Sequence, residues 1–269
     1  MHTDEATLSE SEVEQILTEG SLELTGRLVA ASNASFLGQV TLSGTALPCI
    51  YKPVQGERPL WDFPEGTLAG RERAARVISE AATWGVVPPT VLRDGRFGPG
   101  MCQRWIPIND ERAYVDVVDA DFDEAGWIAI LEAEDHRGRP VLLVHRDDER
   151  LRDMAVLDAV MNNADRKGGH VLVAHDDRLW GCDHGVCFHE DNKLRTVLWG
   201  WADEPLRPGD LVNLQALAVA LDAELGGALA ALLSDAEVAA LGQRVETLRV
   251  AGRMPVPDDT WPSIPWPAF

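Results

Sequence analysis

The sequence predicts an α+β protein in two lobes, an antiparallel-sheet lobe followed by a mainly helical one. Three observations predict it. Residues 22–51 and 86–107 read as short apolar runs broken by turn residues, the pattern of hairpin-linked strands. The segments 147–161, 210–225 and 234–250 read as helices, the last opened by a Ser234/Glu237 capping box. An acidic stretch, Asp116 to Glu124, reads as a connector. We therefore expect lobes of 1–108 and 109–269, a division that suits a chain of 269 residues.

The elements follow in order. Residues 8–19 form an amphipathic helix: Ser9 and Ser11 each precede a Glu by three, Val13, Ile16 and Leu17 share a face, and Gly20 stops it. Strands follow around Leu28–Ala30, Phe36–Val40 and Leu47–Lys52. A small polar loop, Ala31–Ser35, joins the first two, and a Ser43-Gly44-Thr45 turn joins the next. Residues 53–65 read as an irregular insertion carrying Trp61 and Phe63. Thr67 is placed to cap a helix running to Trp84. Two more strands, 86–92 and 100–107, meet at Asp94-Gly95, with Pro107 ending the second. In the second lobe, 127–133 and 140–145 form a hairpin about Asp135-His136-Arg137-Gly138. The helix 147–161 leads into a polar loop, Asn162 to His170. A short hairpin, 171–173 and 179–181, ends in Cys182-Asp183-His184-Gly185. The last 15 residues, rich in Pro and Trp, read as an irregular packed tail.

Composition narrows the partners. Forty-four acidic against 24 basic residues give a net charge of −20. No basic footprint for nucleic acid exists in such a chain, and an anionic membrane surface would repel it. The sequence has no apolar run of membrane-spanning length and opens on acidic, polar residues, so a cytoplasmic protein is expected. Its four cysteines include no CxxC pair and read as reduced thiols. Lysine occurs only at 52, 167 and 193. Where arginine is otherwise used throughout, Lys52 and Lys167 stand at places that suit a compact point charge for phosphate.

The stretch from Val156 to Phe188 carries the chemistry. Asp165 and Asp183 sit at the two ends of one small hairpin, whose strands lie about 5 Å apart, so both carboxylates can reach one rim. A helix, a loop with Asp, a hairpin and then Asp-x-Gly is the layout of a phosphoryl-transfer site. Asp165-Arg166-Lys167-Gly168-Gly169-His170 and Asp183-His184-Gly185-Val186-Cys187-Phe188 resemble the Asp-Arg-x-x-x-Asn loop and Asp-x-Gly-x-x-Phe segment of the phosphatidylinositol 3-/4-kinase-like superfamily of atypical kinases. HipA-type bacterial kinases are relatives of that group. The resemblance spans roughly residues 28–190 and implies a bilobal protein-kinase-like fold and an ATP-dependent phosphotransferase using Mg²⁺ or Mn²⁺.

By that resemblance Asp165 is the acceptor-side base, and Lys167, at the offset where such kinases carry a lysine, holds the γ-phosphate. Lys52, ending the third strand, pairs the α/β-phosphates. Glu72, beside the apolar helix face, fixes Lys52 in preference to Glu80. Ser32, Asn33 and Ser35 would meet the phosphates from a lid that is not glycine-rich. Gln103, Trp105 and Ile106 lie where the hinge would hold adenine. Asp183 is the principal metal ligand, and His170 or Asn163 fills a second metal position at most weakly. His170 stands where the group has Asn, and imidazole suits Mg²⁺ poorly. The acceptor is a hydroxyl of a protein or of a small polar metabolite; the charge ranks a lipid below both.

Other readings stay open at this level. An isolated lysine at a strand end is commonly solvated, and Asp165 could simply cap its turn. A nucleotide-binding pseudokinase and a nucleotidyl transferase share the expected fold. Cys182, His184, Cys187 and His189 offer soft ligands for a zinc-binding module, with Cys182 and His184 alternating on an apparent strand.

Overall fold

The computed structural model describes residues 8–28, 33–64, 66–258 and 261–269. The fold class is α+β, with antiparallel sheets in both parts of the chain. Helix α1 (Glu10–Glu19) opens on the Ser9/Glu12 capping box and buries Val13, Ile16 and Leu17. Strands β1 (Ser21–Leu28), β2 (Ser35–Leu42), β3 (Thr45–Pro53), β4 (Thr90–Gly95) and β5 (Gly98–Arg104) form one sheet in the order β1-β2-β3-β5-β4. Alternation along β3 sorts its side chains by face: Leu47, Cys49 and Tyr51 are fully buried, while Ile50 and Lys52 point to the other side. Leu47 and Cys49 join Val40, Val91, Cys102 and the α1 residues in a small core of their own. The opposite face is left to line a cavity.

Helix α2 (Leu68–Ala81) follows the insertion. The expected cap does not form: the Thr67 hydroxyl donates to Pro64 O, and the Glu57 carboxylate accepts the first N–H groups, from Leu68 (3.2 Å) and Ala69 (2.9 Å). An anion at the positive end of a helix dipole is favourable, and Glu57 supplies it from eleven residues away. Residues Ala74, Ala75 and Ile78 of α2 belong to the large second core, so this helix ties the two parts together.

The second part begins with a departure from expectation. The start of the expected connector, Asp116–Asp119, belongs to strand β6 (Val115–Asp119), which pairs with β8 (Pro140–Arg146), itself paired with β7 (Trp127–Glu134). Val115 is buried whereas Asp116 and Asp119 face solvent, as suits a charged edge strand. Helix α3 (Glu149–Met161) is capped by Asp148 and buries every residue from Met154 to Met161. A helix segment buried on all sides belongs at the centre of a core, and this one packs against α6 and β10. Asn162, left-handed at φ 55°, ends it abruptly and turns the chain into the polar loop. Strands β9 (Val171–Val173) and β10 (Leu179–Gly181) form the small hairpin, and α4 (Pro208–Leu221), α5 (Glu224–Leu229) and α6 (Asp235–Ala251) complete the core. Among the described residues no helix is long and apolar enough to cross a membrane.

Candidate functional site

A cavity of about 250 Å³ lies between the free face of the first sheet and the β9–β10 hairpin. Its walls are apolar (Leu28, Ile50, Trp105, Ile106, Ile108, Leu172), and Lys52 and Asp183 stand together on it. Apolar walls with few placed polar groups are the form of a small-molecule site. The Lys52 ammonium donates to Glu72 Oε1 at 2.9 Å and is ion-paired with Asp183. Glu72 is 2 % exposed, and its second oxygen accepts the backbone N–H of His184 at 3.0 Å. One carboxylate from α2 therefore fixes both the strand lysine and the loop that carries Asp183.

The electrostatics follow from these contacts. Burial works against the Lys52 ammonium, but Glu72 and Asp183 outweigh it and hold the pKa well above the usual lysine value. Lys52 in turn keeps the Asp183 carboxyl far below the usual carboxylate range. Burial pushes His170 down, with Asp183 only partly offsetting it, so this imidazole is neutral at pH 7. The Cys182 thiol, beside Asp183, is pushed up to about 12 by burial and that carboxylate, and stays protonated.

The polar loop brings the remaining groups close. Lys167 Nζ lies 3.6 Å from Asp165 Oδ2, and His170 Nε2 lies 3.5 Å from Asp183 Oδ2. His170 Nδ1 also receives the Lys167 backbone N–H at 3.4 Å. Asp165, Lys167, His170 and Asp183 thus form a connected row beside the cavity. Gln103 and Ile106 line it from β5 and its end, 4 % and 6 % exposed. Asn33 and Ser35 line it from the other rim, where Asn33 Oδ1 accepts the Arg58 N–H and the Ser35 hydroxyl donates to Asn33 O. Ser32 lies outside the described residues.

Asn163 is not brought to this row. It is fully buried, its Nδ2 donates to Asp158 Oδ1 at 2.8 Å, and its Oδ1 accepts the Asp165 N–H at 3.0 Å. Both ends of the amide are committed to shaping the loop, so neither is free for a metal. The soft-ligand set also fails to converge. Asp183 has φ 60°, which breaks the expected strand alternation of Cys182 and His184. His184 Nε2 is 2.8 Å from Arg166 Nη2, and Cys187 is fully buried in the core. Among the described residues, no three His, Cys, Asp or Glu side chains are grouped to hold a metal ion. That arrangement still fits Mg²⁺, which takes one or two carboxylates and completes its shell with substrate phosphates and water. Asp183, its side chain half-exposed at 50 %, is the carboxylate so placed.

Several site residues escaped the sequence reading. Asp158, the one charge inside the apolar α3 run, forms a fully buried pair with Arg166, whose Nε reaches Oδ2 at 2.9 Å and Nη2 reaches Oδ1 at 2.8 Å. Arg166 also donates to the carbonyls of His170 and Cys182, so it clamps both ends of the hairpin. Gly181 leaves room for it: a Cβ there would sit 3.1 Å from the guanidinium. An acid in an otherwise apolar helix was the available signal. The insertion, too, crosses to the second lobe: Asp62 pairs with Lys193 at 2.5 Å, and that ammonium lies over the Trp61, Phe63 and Trp261 rings. Arg195, bound to Ala164 O and stacked near Trp261, comes within 3.9 Å of Asp165. The tail reaches the loop as well, Ala268 O accepting the Gly168 N–H at 2.8 Å. A second cavity, about 340 Å³, lies within the insertion, where Glu57 is already engaged by α2.

No family model matches the chain. Among solved structures, the crystal structure of a Helicobacter pylori proinflammatory kinase, CtkA, is similar over 88% of this chain and 94% of that one, with a TM-score of 0.45 and 12% identity. That likeness is too slight to bear on activity, and the fold stands on the topology above. Protein Rv2133c of Mycobacterium tuberculosis is a much nearer match, 47% identical over 263 residues, with 94% of each chain covered. Identity of that extent, end to end in both sequences, means that the chain belongs to the same family as Rv2133c.

Proposed function

We propose that this protein is an ATP-dependent phosphotransferase that moves the γ-phosphate to a hydroxyl of a protein or small polar metabolite. The observation that carries the reading is the Lys52–Glu72–Asp183 network on the wall of an apolar cavity, with Asp165 and Lys167 beside it. In this reading the base packs between the sheet and Ile106, and the phosphates run out toward Lys52. Asp183 would hold a divalent cation, which when bound would supply charge neutralisation on the phosphate oxygens. Glu72 keeps Lys52 in place, and the ammonium would face the phosphates.

Asp165 orients the acceptor hydroxyl and takes its proton, and Lys167 offsets charge on the equatorial oxygens of the transferred group. His170 is neutral and half-buried beside Asp183, where it orients the carboxylate and contributes no charge of its own. The test is turnover. With ATP and Mg²⁺, Asp165→Asn and Lys167→Ala lower kcat for ATP hydrolysis or transfer by roughly 10²–10⁴ while nucleotide affinity stays within a few-fold. Wild-type turnover in Asp165→Asn, which keeps the loop's hydrogen bonds, refutes the assignment.

A further inference from the structure

Gln103 is a buried polar side chain of the cavity wall, and the chain of hydrogen bonds behind it dictates which way its amide faces. Thr90 and Gln103 are directly opposite in the β4–β5 ladder, so their side chains share a face. Thr90 is fully buried, and its hydroxyl lies 2.7 Å from the carbonyl of Pro88. A carbonyl can only accept, so the hydroxyl proton goes to Pro88. The Thr90 oxygen is then left as an acceptor toward Gln103, whose amide end lies 2.8 Å away. Only the NH₂ end satisfies that acceptor. Gln103 Oε1 is therefore turned from Thr90, and among the described residues it receives no donor. Gln103 is 4 % exposed, and what exposure it has is to the cavity, beside Ile50, Trp105 and Ile106.

We infer that Gln103 Oε1 is a base-reading acceptor that selects a 6-aminopurine over a 6-oxopurine, its orientation set by the Pro88–Thr90 relay. The inference rests on the nucleotide reading of the cavity and names the side chain that selects its base. An acceptor that opens to the cavity and has no protein donor is satisfied by a donor from the ligand, and the exocyclic amine of adenine is one. The carbonyl of guanine or hypoxanthine would set acceptor against acceptor, leaving two polar atoms unpaired out of water. Discrimination built on a buried hydrogen-bonding group is strong for that reason. Thr90 does not line the cavity and acts through Gln103, as a positioning residue. Its role is to prevent the amide flip that would present NH₂ to the base and reverse the preference.

The experiment compares ATP with inosine 5′-triphosphate, which carries oxygen in place of the 6-amino group, by calorimetry on the full chain with Mg²⁺. Wild-type protein binds ATP at least about 10-fold tighter. Thr90→Val keeps shape and burial but loses the relay, and the ratio falls to within about 3-fold; Thr90→Ser restores the hydroxyl and the ratio. Gln103→Leu, which removes the acceptor altogether, also levels the two affinities and serves where Thr90→Val does not fold. Equal binding of the two nucleotides by the wild type, or a wild-type ratio in Thr90→Val or Gln103→Leu, overturns the inference. If neither nucleotide binds the wild type, the nucleotide reading of the cavity fails and the base selection goes with it.

Discussion

The Asp158–Arg166 pair sets the geometry of the loop, and its removal has a calculable effect. Both side chains are fully buried, joined by hydrogen bonds of 2.8 and 2.9 Å. Asp158→Asn is isosteric and keeps an oxygen for Asn163, but it strands the Arg166 guanidinium in the core without a counter-charge. Breaking such a pair costs about 3–5 kcal/mol, a large part of a total stability of roughly 5–15 kcal/mol. For a chain of this size each kcal/mol lowers Tm by about 2–4 °C, so Asp158→Asn melts roughly 6–20 °C lower. Thermal unfolding followed by circular dichroism measures it. The double variant Asp158→Leu/Arg166→Met recovers part of the loss, because an apolar pair leaves no buried charge. Arg166 also holds the carbonyls of His170 and Cys182, so the double variant remains poor in turnover even where it regains stability. A drop of under about 2 °C for Asp158→Asn would refute the reasoning.

The contact between the insertion and the second lobe rests on Asp62 and Lys193. Asp62→Asn weakens local closure by about 1.5–3 kcal/mol, read as faster amide exchange across residues 57–66; unchanged exchange contradicts it. Stability falls as the pH drops from 7 toward 5.5. His145 is fully buried, with Nδ1 donating to Arg146 O and Nε2 accepting the Gly200 N–H at 3.0 Å, and burial holds its pKa below the ordinary 6.5. Burial depresses His184 and His170 likewise. The unfolded chain therefore protonates first, near 6.5, and gains relative to the folded one; a urea midpoint that is flat or rises toward pH 5.5 contradicts this sign. Ser9→Ala removes the capping-box acceptor of α1 and costs about 1 kcal/mol in the same urea assay; no change would mean that α1 adds nothing to the first lobe.

What could be read in the sequence was local. Capping boxes, turn residues and strand alternation located α1, β2, β3 and the β9–β10 hairpin, because each is settled by residues within a few positions of one another, whereas β1 runs Ser21–Leu28, earlier than the expected Leu28–Ala30. The choice of Glu72 over Glu80 also came from local spacing: Glu72 meets Lys52, whereas Glu80 pairs with Arg76 one turn back. What escaped notice was decided at long range. Asp62 and Lys193 are 131 residues apart, and neither has a periodic neighbour to announce the contact. The cap of α2 came from Glu57, outside the window in which Thr67 was the obvious candidate. Asn163 has the right residue type for a ligand, but an acceptor from α3 draws it inward. The β6 acids were read as a connector because only Val115 of that strand is buried, and no apolar alternation marks it.

Nucleotide binding is the claim on which the account stands, and thermal stabilisation by ATP with Mg²⁺ measures it directly. At 100-fold saturation the ligand adds about 2.7 kcal/mol, which for a chain of this size raises Tm by roughly 5–11 °C. Lys52→Ala removes the charge proposed to face the phosphates, and Asp183→Asn removes the carboxylate proposed to hold the metal. The wild type is expected to shift by that amount, Lys52→Ala by less, and Asp183→Asn to show no shift that depends on Mg²⁺. A wild-type melting temperature unmoved by millimolar ATP and Mg²⁺, or a full metal-dependent shift in Asp183→Asn, would contradict it.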